Sequence, residues 1–198
     1  MNTINKCYEF RQDIKKSEFI CTLIPVNSLD EINEHLKQIR KKYYDATHNC
    51  YSYILTQNDG TSIIKASDDG EPSQTAGVVI LDVVQTNNLT NVLAVVTRYF
   101  GGIKLGAGGL VRAYSSSTSG AVKIAEMVPI IKMIKINIKF DYTYANEILK
   151  LFKNYKEIES KYEANVSITY EIPEADKAFL EEKLISMTKN QTLITFIN

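Results

Sequence analysis

Three groups of residues in this sequence combine types and spacings that could support chemistry. The first is the stretch 98–114, RYFGGIKLGAGGLVRAY, which holds five of the chain's nine glycines: Gly101, Gly102, Gly106, Gly108 and Gly109. The cations Arg98, Lys104 and Arg112 and the aromatics Tyr99 and Phe100 lie among them, with no acid. Glycine is entropically costly, so this concentration implies backbone that turns tightly or approaches something closely. An apolar run leads in and a helical segment is expected to lead out, which would leave unpaired N–H groups and a positive dipole end suited to an anion. A purely structural crossover packed on a sheet explains the same glycines. The stretch is not a P-loop, because GGIKLGAGG lacks the GK[ST] ending that holds phosphate and Mg²⁺.

The second group is the acidic, turn-rich loop 67–74, SDDGEPSQ. Asp68, Asp69 and Glu71 place three carboxylates within four residues, followed by Ser73 and Thr75. Asp68 and Asp69 are weak metal candidates through hard oxygen ligands. Such residues also bond to nearby backbone and hold turns, and the EF-hand spacing is absent. The third group is His48, Asn49 and Cys50. A histidine near neutral pKa could act as acid or base, and Cys50 shares its strand face. Nothing in the sequence supplies the third, orienting group that a Cys–His nucleophile needs, so a hydrogen-bonded structural role fits His48 better. His35 reads as a helix-face residue.

Positioning these groups requires a sheet with helices. Residues 19–26 read as a strand, limited by Pro25 to an edge or an end. Ser28 and Glu31 form a capping box, and Ile32, Leu36, Ile39 and Tyr43 recur at helical spacing. Residues 49–56 and 61–66 are strands around a hairpin-type turn at Asn58, Asp59 and Gly60. The segment TAGVVILDVVQTNN is open between strand, from its β-branched residues, and buried helix, from its length and small start. Residues 91–97 form a buried strand, and 109–127 a helix that Pro129 terminates.

Composition shifts at residues 128–129, and no glycine follows Gly120. Strands at 130–140, 157–163, 165–172 and 192–197 and helices at 144–155 and 173–187 give the order β-α-β-β-α-β. Pro173 suits the first helical position. That order is the ferredoxin-like arrangement. The predicted organisation is therefore α+β: an α/β domain over 1–128 that carries the candidate chemistry, and a ferredoxin-like domain over 129–198 acting as scaffold or recognition module.

Bulk properties narrow the function classes. The 198 residues suffice for one large domain or two small ones. With 23 cations against 23 anions, a basic surface would have to be local. Cys7, Cys21 and Cys50 are odd in number and contain no CxxC pair, as fits a reducing cytoplasm rather than a disulfide framework or zinc site. The first residues lack the apolar core of a signal peptide, and no apolar run is long enough to span a bilayer.

The run DDGEPSQTAG at 68–77 followed by VVTRYFGGIKLGAGGLVRAY at 95–114 resembles the IMPACT family, in its bacterial YigZ-type branch. ATHNCYSY at 46–53 and KSEFI at 16–20 also fit. The resemblance implies that the first domain has the topology of the second domain of ribosomal protein S-five-like folds, with 75–85 as a helix. It implies a second domain similar to one in translation elongation factor G. It also pairs the acidic loop with the Gly-rich stretch, and implies translational regulation, as in eukaryotic relatives, and nucleic-acid or ribosome binding. The family pattern SGTAG reads SQTAG here, so Gln74 replaces a glycine and would strain any position of positive φ.

The leading expectation is a non-enzymatic cytoplasmic regulator that binds RNA or the ribosome, with no cofactor and no membrane contact. Arg98, Lys104 and Arg112 would contact phosphate, and Tyr99 and Phe100 would stack on bases. An enzyme acting on a phosphorylated small molecule or nucleotide, with Mg²⁺ at the acidic loop, is the alternative. A regulator that docks on another protein is the second alternative.

Overall fold

A computed structural model describes residues 1–57, 60–189 and 191–197. The chain forms two compact units, Met1–Ile130 and Ile131–Asn198. In chain order the first contains β1 (Asn2–Ile4), β2 (Tyr8–Ile14), β3 (Ser17–Pro25), α1 (Leu29–Lys42), β4 (His48–Thr56), β5 (Ser62–Ser67), α2 (Gly77–Thr86), β6 (Val92–Tyr99), α3 (Ala107–Ile124) and β7 (Met127–Pro129). Five strands make one antiparallel sheet in the order β2-β3-β6-β4-β5, and β1 pairs with β7 separately.

Central strand β6 is buried from Val92 to Arg98, because both faces of the sheet are covered. On one face Ile20, Tyr51, Tyr53, Leu93 and Val95 meet Ile32, Leu36 and Ile39 of α1. On the other, Phe19, Cys21, Cys50, Ala94 and Val96 meet α2 and α3 through Ile80, Val84, Leu110 and Tyr114. Alternation along each strand thus divides the first unit into two cores. At the start of α1, the Glu31 N–H donates to Ser28 Oγ, and Glu31 Oε2 accepts from the Asn27 N–H one residue earlier than a strict capping box.

The segment left open by propensity is helix α2. Its buried residues Gly77, Ile80, Val83 and Val84 follow helical spacing, and tertiary burial overrides its β-branched content. Helix α3 buries small polar residues by bonding them to its own turns: Ser117 Oγ donates to the Ala113 carbonyl and Thr118 Oγ1 to that of Tyr114. It ends at Ile124, short of the predicted 127. Residues Met127–Pro129 are instead strand β7, so Pro129 closes an edge pairing rather than a helix. Strands β1 and β2 precede the first strand expected from the sequence. The predicted turn at Asn58 and Asp59 lies outside the described residues, while β4 and β5 pair antiparallel on either side of it.

The second unit contains β8 (Met133–Phe140), α4 (Ala145–Phe152), β9 (Lys156–Tyr162), β10 (Val166–Pro173), α5 (Lys177–Thr188) and β11 (Leu193–Ile197). Its antiparallel sheet has the order β11-β8-β10-β9, with Ile136, Ile138, Phe140, Ile168, Leu180 and Leu184 in the core. This is the ferredoxin-like order expected from the element sequence. Pro173 ends β10 with φ −57° and ψ 135°, so it precedes the helical segment rather than opening it. Among the described residues no helix is long and apolar enough to cross a membrane.

Candidate functional site

Register brings the acidic loop and the Gly-rich stretch together. Strand β6 lies between β3 and β4, so Arg98 is flanked by Phe19 on one side and His48 on the other. All three side chains share the face covered by α2 and α3. Glu71 reaches this row from the acidic loop. Its Oε1 accepts from Arg98 Nη1 at 2.6 Å and from the Tyr114 hydroxyl at 2.8 Å. Arg98 is 5% exposed and Glu71 8%, so this ion pair is buried. Arg98 Nε has no hydrogen-bond partner among the described residues. The guanidinium instead lies 5.4 Å from the ring centroids of both Phe19 and Phe100.

Most of the acidic loop is committed to holding backbone. Asp68 Oδ1 accepts from the N–H groups of Ala76 and Gly77, and Oδ2 from that of Gln74. Asp68 therefore caps α2 from a distance, a role that Ala76 at the cap position cannot fill. Asp69 Oδ2 accepts from the Asn49 N–H at 2.7 Å, and its Oδ1 lies 3.8 Å from Arg40. Thr75 is buried and its hydroxyl donates to the Pro72 carbonyl, while Ser73 is exposed. Gln74 has φ +63°. The residue that stands where the family pattern has glycine thus adopts the left-handed conformation that glycine favours.

His48 and Cys50 are tied down separately. His48 Nδ1 lies 2.8 Å from the Asp69 carbonyl, which can only accept, so Nδ1 carries a proton. Its Nε2 faces Glu71 Oε2 at 3.9 Å. Cys50 Sγ lies 2.9 Å from the Asp68 carbonyl, to which its one proton can be given, and 3.3 Å from the Tyr114 hydroxyl. Burial pushes its thiol up to about 12, with help from Glu71, Asp69 and Asp68. A thiol held this high is a poor nucleophile near neutrality. Burial, and after it the nearness of Cys50 and Glu71, also raises Tyr114. Asn49 points to the opposite face, where its Oδ1 accepts from Thr97.

The Gly-rich stretch is divided among several tasks. Tyr99 turns toward the α1 side and donates to Asp45, whereas Phe100 is exposed, so the two aromatics do not share a surface. A Cβ on Gly101 would run into the Lys16 carbonyl, and the Gly101 N–H donates to Ser17 Oγ. Gly102 and Gly106 have φ +83° and +71°. Gly106 precedes α3, whose first turn contains no acid and, among the described residues, receives no side-chain cap. Ala107, Gly108 and Gly109 form that first turn, and Lys104 and Arg112 are exposed beside it.

Two residues absent from the sequence-level site complete the surface. Lys15 and Lys16 form the two-residue turn between β2 and β3, with φ +46° and +67°. Helix α3 runs back along β2: a Cβ on Gly120 would meet Phe10, and Gln12 bonds to the Ala113 carbonyl, Ser116 and Ser117. The turn that follows Ile14 therefore reaches the beginning of α3. No glycine or asparagine marks it. The signal that would have found it is the alternation of Tyr8, Phe10, Gln12 and Ile14 toward the core. Among the described residues, Lys15, Lys16, Lys104 and Arg112 form no ion pair. Asp13 alternates with Gln12 and Ile14 and shares the opposite face with Glu9, which bonds to Lys42 and Tyr43.

Comparison with known proteins identifies the family. The Impact N-terminal domain family model matches residues 15–122, a span that includes the Lys15–Lys16 turn, the acidic loop and the Gly-rich stretch. The chain is 38% identical to the IMPACT family member YvyE of Bacillus subtilis (strain 168), over 96% of this chain and 88% of that protein. It is 30% identical to the IMPACT family member YigZ of Escherichia coli (strain K12), over 90% and 88%. A crystal structure of a hypothetical protein superposes with a TM-score of 0.70 at 27% identity, covering 100% of this chain and 97% of that one. This chain belongs to the IMPACT family.

Proposed function

We propose that this protein is a translation-associated regulator that works in the cytoplasm and binds RNA or the ribosome without catalysing a reaction. One observation carries the binding half of this reading. Four cations without acidic partners among the described residues lie on segments that the fold brings together: Lys15 and Lys16 on the turn whose Lys16 carbonyl packs against Gly101, and Lys104 and Arg112 on either side of the open first turn of an 18-residue helix. The acids of the loop that meets the Gly-rich stretch, Asp68, Asp69 and Glu71, are all engaged in internal bonds. Exposed Phe100 and Ile103 add apolar surface beside the cations. The translational half extends to this chain what family resemblance implies for eukaryotic relatives. Arg98 holds the site together from within and does not itself contact phosphate.

Salt titration of binding to a fluorescently labelled single-stranded RNA tests the reading. Four phosphate contacts would give a slope of log K against log salt of about −2.8, a loss of about 50-fold between 50 and 200 mM. Replacing Lys104 or Arg112 by alanine should flatten the slope by about 0.7 each. Absent binding, or binding indifferent to salt, refutes the proposal.

A further inference from the structure

Phe100 is an unusual surface aromatic. The residue is 45% exposed, yet its ring lies 5.4 Å from the guanidinium of Arg98, a residue 5% exposed and fixed by a 2.6 Å bond to Glu71. Its backbone is held as well, since the Phe100 N–H donates to Thr47 Oγ1 at 3.0 Å and the next N–H donates to Ser17 Oγ. A single exposed apolar side chain needs no explanation by itself. This one is supported by a buried cation and anchored at two successive backbone N–H groups, and the next residue, Gly101, packs against the Lys16 carbonyl of the two-lysine turn. A ring held in this way offers a flat apolar surface at little further entropic cost. A guanidinium behind an aromatic ring is also a recurrent support, since the ring quadrupole attracts it.

We propose that Phe100, backed by the Arg98–Glu71 pair, is a stacking platform for one unpaired base of a single-stranded RNA whose phosphates lie on Lys104, Arg112 and the Lys15–Lys16 turn. The proposal rests on the RNA-binding reading above and adds the class of RNA and the atoms that select it. In a duplex each base face is covered by its neighbours, so only an unpaired base can lie on the ring. Lysine and arginine provide affinity regardless of strandedness, and the platform confers the preference for single strands. Glu71 and Arg98 are positioning residues, for they act through Phe100 and touch no ligand. The acidic loop and the Gly-rich stretch are then two parts of one device: one fixes the guanidinium and the other carries the ring.

The test uses the full chain and a short single-stranded oligoribonucleotide with one 2-aminopurine, whose fluorescence is quenched on stacking. Wild type should quench the probe and should prefer it to a duplex of equal length. Phe100→Leu keeps an apolar side chain but removes the π-face; it should lower affinity about 5- to 150-fold, abolish quenching and leave the salt slope unchanged. Phe100→Trp should restore both affinity and quenching. If RNA binds with the expected salt slope but Phe100→Leu neither weakens it nor removes quenching, the platform is refuted while the RNA-binding reading stands. Equal affinity for the duplex refutes it too. If no RNA binds at any salt concentration, both proposals fall. A concentration-dependent self-association that Phe100→Leu abolishes would assign the ring to contact with a second copy and likewise overturn the platform.

Discussion

Replacing Glu71 by glutamine should destabilise the first unit far more than removing a surface charge would. The carboxylate is buried and receives two bonds, from Arg98 at 2.6 Å and Tyr114 at 2.8 Å. Among the described residues Arg98 Nε lacks a partner and Glu71 is the one ionised neighbour within bonding distance of the guanidinium. Breaking a buried pair by removing one partner costs about 3–5 kcal/mol, because the other charge is left desolvated. Glutamine keeps an acceptor oxygen, which places Glu71→Gln near the lower end, at about 3 kcal/mol. For a unit of this size each kcal/mol corresponds to about 3–4 °C, so its melting temperature should fall by about 10 °C. Calorimetry of the full chain is the appropriate assay, since the sequence has no tryptophan. The second unit has its own core, and its unfolding should not shift. A double-mutant cycle completes the case. Arg98→Met alone leaves Glu71 without its guanidinium and Glu71→Leu alone leaves Arg98 without its carboxylate, whereas the two together should cost less than the sum of these singles. A loss below about 1 kcal/mol for Glu71→Gln, the range of exposed pairs, or strict additivity in the cycle, would refute the buried-pair reasoning.

Two further outcomes follow from single residues. Gln74→Gly should stabilise the protein by about 1 kcal/mol, seen as a melting temperature higher by about 3 °C, because a left-handed conformation penalises a side chain that glycine lacks; no gain would mean that Gln74 makes compensating contacts. Glu9 provides a pH signature. Burial opposes its ionisation, but bonds from Lys42, Arg11 and Tyr43 outweigh this and hold its carboxyl at about 2, against 4.5 when free. A depressed carboxyl contributes stability that is complete above pH 4.5 and lost as pH falls toward 2. Melting temperature measured across that window should therefore fall less steeply in Glu9→Gln than in wild type, and identical profiles would contradict the assignment.

The parts of the fold that were legible in the sequence are those in which local pattern and burial agree. The capping box before Ile32, the apolar run into Arg98 and the alternation from Met133 to Phe140 each specify an element directly. Strand β2 escaped notice because its outer face carries Glu9, Arg11 and Asp13, and its turn is made of two lysines instead of asparagine and glycine. Strand β7 escaped because three residues with a proline look like the end of a helix. At the site, composition located both loops but not the bond between them. Glu71 and Arg98 are 27 residues apart, and whether they meet depends on sheet order. Sheet order is set by long-range pairing that no local window contains. Without that contact, three carboxylates read as a cation site and Arg98 as a phosphate contact. With it, the carboxylates are occupied and Arg98 belongs to the interior.

A chain with a formal charge of zero can still present a locally cationic surface. Net charge counts every group equally, but only groups in solvent contribute fully to the outer field. In the first unit the acids of the loop 67–74 are used inward: Glu71 on Arg98 and Tyr114, Asp68 on the backbone of α2, Asp69 on Asn49. Glu9 and Glu18 pair with Arg11 across the other face of the sheet. The cations Lys15, Lys16, Lys104 and Arg112 have no such partners among the described residues. The imbalance is therefore produced by folding rather than by composition. Its magnitude depends on Glu71 staying inside, since a loop released by loss of the Arg98 bond would return its carboxylates to the surface. The residue that supports the aromatic ring thus also keeps acid away from the surface an RNA would use.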